Sequence, residues 1–189
     1  MNKPITNNLN MKGIKFALLV FCLQMMGGSN YAQQPFTNPN AIVDTFKKSI
    51  PCRTKAVVNG VEIEINYYSP AVKNRIIWGG LVPYDQVWVT GAHNATSLKI
   101  NKDITIGSSK IKAGTYALFT IPGKEEWMFI INKNYKQHLT DEYKQEEDVM
   151  RFTVKPSANE KSLERLQYLI EKNKLVIAWE KLKIEIPFQ

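Results

Sequence analysis

Thr54-Lys-Ala-Val-Val-Asn-Gly-Val-Glu-Ile-Glu-Ile-Asn-Tyr67 sets two alternating runs on either side of Asn59-Gly60. Asn and Gly both tolerate the positive φ that a two-residue type I′ turn needs at its central positions. That loop places Val58 opposite Val61 and Ala56 opposite Ile63. These residues and Ile65 then share one face of a hairpin, and Glu62 and Glu64 take the other. Turn chemistry and hydrophobic alternation agree on one register, so the domain opens on an antiparallel pair.

Downstream of the hairpin the period breaks. Ser69 to Tyr84 holds Pro70, Gly79, Gly80 and Pro83 together with Ile76, Ile77, Trp78 and Leu81. Turn formers mixed with large apolar residues predict a long ordered loop packed on the domain. Strand signals then recur at short spacing. Gln86–Thr90, Thr96–Lys102, Ile104–Ile106 and Lys110–Lys112 come first. Thr115–Ile121 and Trp127–Asn132 are apolar on both faces, as central strands are. Lys133–Asp148 is polar and reads as a long loop or short helix, and Val149–Lys155 alternates again. Leu163–Glu171 fits a helical face or a strand face. Asn173-Lys174 and the strand-like Leu175–Glu180 after it favour a hairpin, and Leu182–Ile186 makes a last strand. The expectation is an all-β, antiparallel β-sandwich or flattened barrel of about ten strands.

The N-terminus reads differently. Lys12 and Lys15 precede the apolar run Phe16–Met26, then Gly27, Gly28, Ser29 and a small residue, Ala32. This is the layout of a cleavable signal peptide, with Met1 or Met11 as the start and cleavage near Ala32. The run falls short of the ~20 residues that span a bilayer, so no transmembrane anchor is expected. Cys22 follows Phe21 rather than a small residue and reads as a leader hydrophobe, not a lipidation site. The expected division is a signal peptide over 1–33, an extended segment over 34–52 with a short helical turn at Ala41–Lys48, and a β domain over 53–189. The mature protein is then periplasmic or secreted. Of its two cysteines it keeps Cys52 alone, so it holds no internal disulfide.

The formal charge is +8. Without Lys3, Lys12 and Lys15 the 25 bases fall to 22 against 17 acids, or +5. The bases are dispersed, with no basic stripe interleaved with aromatics, so nucleic acid is not an expected partner.

Several separated runs carry a resemblance. They are Tyr68-Ser-Pro-Ala-Val-Lys-Asn-Arg75, Gly79-Gly-Leu-Val-Pro-Tyr84, Val87-Trp88 with Thr90-Gly-Ala92, Ala113-Gly-Thr-Tyr-Ala-Leu-Phe-Thr-Ile-Pro122, and Trp179-Glu180. Together they resemble the bacterial exported family known as domain of unknown function two-nine-one-one, over roughly Ile50 to Phe188. The resemblance implies export and a strand at Leu163–Glu171, and it marks Ser69–Thr96 as the characteristic region. The family has no established activity to carry over. Val89 stands where the family often has Arg, and His93-Asn94 where it has Asn-Glu.

That region also holds the candidate binding residues: Arg75, Trp78, Tyr84, Trp88, Thr90, His93 and Asn94, with Asp85 beside them. Donors, acceptors, an imidazole and an aromatic wall suit a small polar or glycan ligand. The competing reading is an ordered loop whose side chains satisfy backbone groups. Nucleophilic sets are conceivable as Cys52-His93-Asn94 or Ser69-His93-Asp85, but neither nucleophile sits in an elbow motif. His93 and His138 are the two histidines, with no ligand spacing around them. The acids of Asp141–Asp148 lack the pattern of a calcium loop, so no metal or cofactor is expected. Three functional readings result. The leading one is an envelope domain that binds a small polar or glycan ligand, or a protein partner. The others are a hydrolase with His93 as general base, and a structural envelope protein without a small-molecule site.

Overall fold

A computed structural model describes residues 34–35 and 49–189. The leader, its cleavage site and the turn expected at Ala41–Lys48 lie outside the described residues. The first hairpin forms as the sequence dictates. β2 (Ser49–Val58) pairs with β3 (Val61–Pro70), with Val58 opposite Val61 and Ala56 opposite Ile63. Asn59 and Gly60 take φ of 52° and 76°, as the type I′ turn requires. A two-residue stub, β1 (Gln34–Pro35), pairs with the outer edge of β2 at Arg53 and Cys52.

β4 (Thr96–Ile100) adds to β3, and β7 (Gly114–Pro122), β8 (Trp127–Asn132) and β9 (Asp148–Val154) follow. All are antiparallel neighbours, giving a seven-stranded sheet in the order β1-β2-β3-β4-β7-β8-β9. β5 (Ile104–Ile106) and β6 (Ser109–Ile111) form a small hairpin between β4 and β7. β10 (Ser157–Glu171) and β11 (Lys174–Pro187) form a long hairpin that makes the second layer. Ile106 bridges to Phe188, and Ala71 bridges to Arg165, so both ends of the second layer are laced to the rest. The result is a β-sandwich rather than a closed barrel. It has eleven strands among the described residues, and its one helical element there is a single 3₁₀ turn at Gln145–Glu147.

Three local expectations are corrected. Gln86–Thr90 is not a strand. Trp88 alone exchanges hydrogen bonds with Thr120, at 2.7 and 3.0 Å. Asp85 (φ 59°) and Thr90 (φ 51°) turn the chain away on either side, which stops the ladder. The last turn is Lys172-Asn173, one residue earlier than expected, because Glu171 pairs with Lys174. β11 runs unbroken to Pro187 where two strands were expected, since Glu180 takes φ 53° beside a register shift and bends the strand without ending it.

The core lies between the layers. Ile63, Ile65 and Tyr67 of β3, Leu98 and Ile100 of β4, Leu118 of β7 and Phe129 and Ile131 of β8 face Leu166 and Tyr168 of β10 and Leu175 and Ile177 of β11. A second apolar cluster lies on the sheet's other face. Ala117, Phe119 and Ile130 pack there under Val89 and Ala95 of the loop between β3 and β4.

Tyr168 is the main polar tie across the core. It is fully buried, and its hydroxyl donates to the Thr90 carbonyl at 2.6 Å. Its own carbonyl accepts from Thr54 Oγ1 at 2.7 Å, and its amide donates to Tyr67 Oη at 3.4 Å. Burial raises the Tyr168 phenol well above its ordinary pKa, so it stays a donor.

Tyr168→Phe removes the hydroxyl while Thr96 Oγ1 still serves the Thr90 carbonyl. Urea unfolding is expected to show a loss of about 1 kcal/mol, against about 3–5 kcal/mol for Tyr168→Ala. Two glycines give a second check. An added Cβ at Gly60 meets nothing within 4 Å, so Gly60→Ala costs the positive φ alone, about 1 kcal/mol. At Gly91 it falls 2.8 Å from Thr96 Oγ1 and 3.2 Å from the Tyr68 carbonyl. Gly91→Ala is expected to destabilise by about 1–3 kcal/mol, and equal losses at the two sites would contradict the packing argument.

Candidate functional site

The register of the main sheet lays polar residues in a row on its outer face, beside the loop residues Asn94 and Ala95. Arg53 pairs with Asn66, and Asn66 with Ser97. Arg53 Nε donates to Asn66 Oδ1 at 3.0 Å, and Asn66 Nδ2 donates to Glu64 Oε1 at 3.1 Å. Lys55 Nζ lies 2.8 Å from Glu64 Oε2. Burial would raise the Glu64 carboxyl, but hydrogen bonds from Lys55 and Asn66 and the charges of Lys55 and Arg53 hold it below its ordinary range. Glu64 is therefore ionised at neutral pH, and its contacts with Asn66 and Lys55, with the bond from Arg53 to Asn66, pre-order this part of the row.

The segment after β8 builds a wall beside this floor. Asn132, fully buried at the end of β8, donates to the Lys144 carbonyl at 2.9 Å and to Asp148 Oδ1 at 2.8 Å. Its own Oδ1 accepts from the Asn134 amide at 2.8 Å. Gln137 is 5% exposed. It donates to the Asn134 carbonyl at 2.7 Å, accepts from the Glu142 amide at 3.2 Å, and its backbone carbonyl takes the Ala95 amide at 2.9 Å. Two buried side-chain amides thus hold an irregular segment against the neighbouring loop.

Floor and wall enclose a groove of about 650 Å³. Tyr68, Asn66 and Ser97 line it from the sheet, and Tyr135, Lys136 and His138 from the wall. Lys136 Nζ sits 5.7 Å from the Tyr135 ring centroid. His138 Nδ1 lies 3.0 Å from Asp141 Oδ2, and both side chains are exposed.

A second cleft, of about 390 Å³, opens on the other side of the loop between β3 and β4. Trp88 and Trp179, stacked at 5.9 Å and 21°, line it with Val82, Val89 and Leu139. Arg75, Ser49 and His93 supply its polar lining.

The two clefts divide the residues that the sequence grouped. Arg75, Trp88 and His93 line the apolar cleft, and Asn94 lines the polar groove. His93 has φ 60°, which turns the chain between these neighbours. Its ring edge meets Tyr68 at 5.1 Å, and it makes no side-chain hydrogen bond among the described residues. Trp78 packs instead against Trp88, Trp127 and Trp179, at 5.9, 4.7 and 5.9 Å. Thr90 is fully buried, its hydroxyl 3.0 Å from that of Thr120. Tyr84 packs its ring where Gly79, at φ 77°, leaves room for it.

The nucleophile candidates have other partners. Ser69 Oγ is buried and donates to the Leu166 carbonyl at 2.7 Å. Burial pushes the Cys52 thiol up, against the lowering pull of Tyr67 and Arg165. Among the described residues, no three His, Cys, Asp or Glu side chains gather where they would hold a metal ion, and no helix is long and apolar enough to cross a membrane.

The wall was missed by sequence reasoning. Lys133–Asp148 looks like solvated loop because its ordering residues, Asn132 and Gln137, act through partners that local composition does not reveal. The one available cue is Asn132, a polar residue closing the apolar run Trp127–Ile131.

No curated protein and no solved structure matches the chain. A family model described as Protein of unknown function (DUF2911) matches residues 49–188. That span takes in every strand from β2 onward and the lining of the polar groove, and it includes the runs from Tyr68 to Glu180 on which the resemblance rests. The chain belongs to the DUF2911 family of proteins of unknown function.

Proposed function

We propose that the protein is an exported, non-catalytic envelope domain that binds a small polar or glycan ligand in the groove between the β2–β3–β4 floor and the segment after β8. The observation that carries this reading is the pre-ordered pair Arg53 and Asn66, with Ser97 next to them in the register, beside two tyrosines, Tyr68 and Tyr135, in one open groove. Sugars present hydroxyls at their rims and C–H faces between them. A site with amides and charges beside aromatic rings answers both surfaces. Holding the polar groups in place before binding lowers the ordering cost of association.

The absence of a poised nucleophile supports binding over hydrolysis. His93 has no nucleophile within hydrogen-bond reach among the described residues, which general-base action requires. Ser69 is spent on the Leu166 carbonyl, and a thiol raised by burial is a poor nucleophile at neutral pH. Export rests on the leader pattern of Lys12–Gln33 and on the family resemblance.

Calorimetric titration with a panel of neutral and acidic oligosaccharides tests the site. At least one is expected to bind, with Asn66→Ala and Tyr135→Ala each weakening it about tenfold or more. A panel without a binder, or binding indifferent to both substitutions, removes the reading. Export has its own check: mass spectrometry of protein from an envelope fraction should give an N-terminus near Gln33, and an intact leader would contradict cleavage there.

A further inference from the structure

The apolar cleft has a chemistry that the polar groove does not share. Trp88, Leu81 and Leu139 give it its accessible aromatic and aliphatic walls, with Trp179, Val82 and Val89 buried behind them, and Leu139 and Leu81 remain 38% and 44% exposed. Exposed large apolar residues beside a cleft leave area that a ligand would cover. Its volume, about 390 Å³, lies in the range of small-molecule sites.

One charged group in the cleft, Arg75, has unmet capacity. Arg75 Nε donates to the Val72 carbonyl at 3.1 Å, and Nη2 donates to the Ala71 carbonyl at 2.5 Å. Both acceptors are neutral. Among the described residues no carboxylate lies within ion-pair distance of the guanidinium, and Nη1 has no protein acceptor. Those two carbonyls hold the guanidinium in place with its charge uncompensated. Ser49 is 4% exposed, lines the same cleft, and its hydroxyl has no protein partner among the described residues.

We propose that this cleft binds an amphiphilic carboxylate, its aliphatic chain against Trp88, Leu81 and Leu139 and its carboxylate on Arg75. The cation selects the anionic end through a charge-assisted hydrogen bond, which is stronger where the surroundings are apolar. The Ser49 hydroxyl adds a donor in the same cleft. The site is separate from the polar groove: the two have no lining residue in common. It therefore stands or falls independently of glycan binding.

The test titrates decanoate, decanol and acetate into the full-length protein, read by tryptophan fluorescence, since two tryptophans line the cleft. Decanoate is expected to change the emission saturably and to bind about tenfold or more tighter than decanol, with acetate silent. Arg75→Met keeps the stem and removes the charge. It should erase the preference for decanoate while leaving decanol binding in place. Ala92→Phe, which fills the cleft, should abolish both, and Tyr135→Ala in the polar groove should change neither. Equal affinity for decanoate and decanol in the unaltered protein overturns the proposal, and needs no variant to fold. Absence of binding, or loss of binding in Tyr135→Ala but not in Ala92→Phe, overturns it as well.

Discussion

The contact between the Tyr168 hydroxyl and the Thr90 carbonyl joins three parts of the molecule through one buried hydrogen bond. Tyr168 belongs to the second layer, Thr90 to the loop between β3 and β4, and Thr90 is tied in turn to Thr120 of the main sheet. A two-layer sandwich held by apolar contact alone leaves its layers free to slide, because hydrophobic burial is non-directional. Tyr168 supplies direction. Its amide, carbonyl and hydroxyl each meet a different residue of the other part of the fold: Tyr67, Thr54 and Thr90. Any slip of the long hairpin would strand all three groups in the core, where an unmade hydrogen bond costs the full desolvation penalty.

The same contact explains how the loop tolerates its backbone. Thr90 is β-branched and sits at φ 51°, a conformation that costs of the order of 1–3 kcal/mol for such a residue. It persists because its carbonyl takes two donors, Tyr168 Oη and Thr96 Oγ1, while its hydroxyl meets Thr120. Gly91 follows, pressed so close to Thr96 and the Tyr68 carbonyl that a side chain has no room. Then His93, again at positive φ, turns the chain. This strained turn parts the two clefts, and fixing it at Thr90 fixes the shape of each.

What could be read from the sequence follows the range of the forces involved. The Asn59-Gly60 hairpin was legible to the residue, because turn type and alternation are local and agree. Thr115–Ile121 and Trp127–Asn132 were legible as central strands because burial on both faces leaves an unbroken apolar run. Gln86–Thr90 misled because its apolar residues, Val87 and Val89, pack on a sheet without joining its ladder. Trp88 lines the apolar cleft, but its tie to the other tryptophans could not be read from the sequence. Trp78, Trp88, Trp127 and Trp179 pack together, one pair stacked and the others edge-on or tilted, and no spacing along the chain announces that. The wall of the polar groove was hidden for the same reason: Gln137 meets Ala95 across a gap in sequence that composition cannot bridge.

The split of His93 from Asn94 bears on what kind of site this scaffold can carry. Catalytic sets need convergence on one reacting atom, within hydrogen-bond reach. Here a single turn sends neighbouring residues to different clefts, one walled by tryptophan and one floored by paired polar side chains. Of the two nucleophile candidates that the sequence offered, Ser69 donates to the Leu166 carbonyl and Cys52 is half-buried beside Tyr67. The scaffold's rigid element is the sheet, its strained element is the loop, and the chemistry lies on the two flanks that the loop separates.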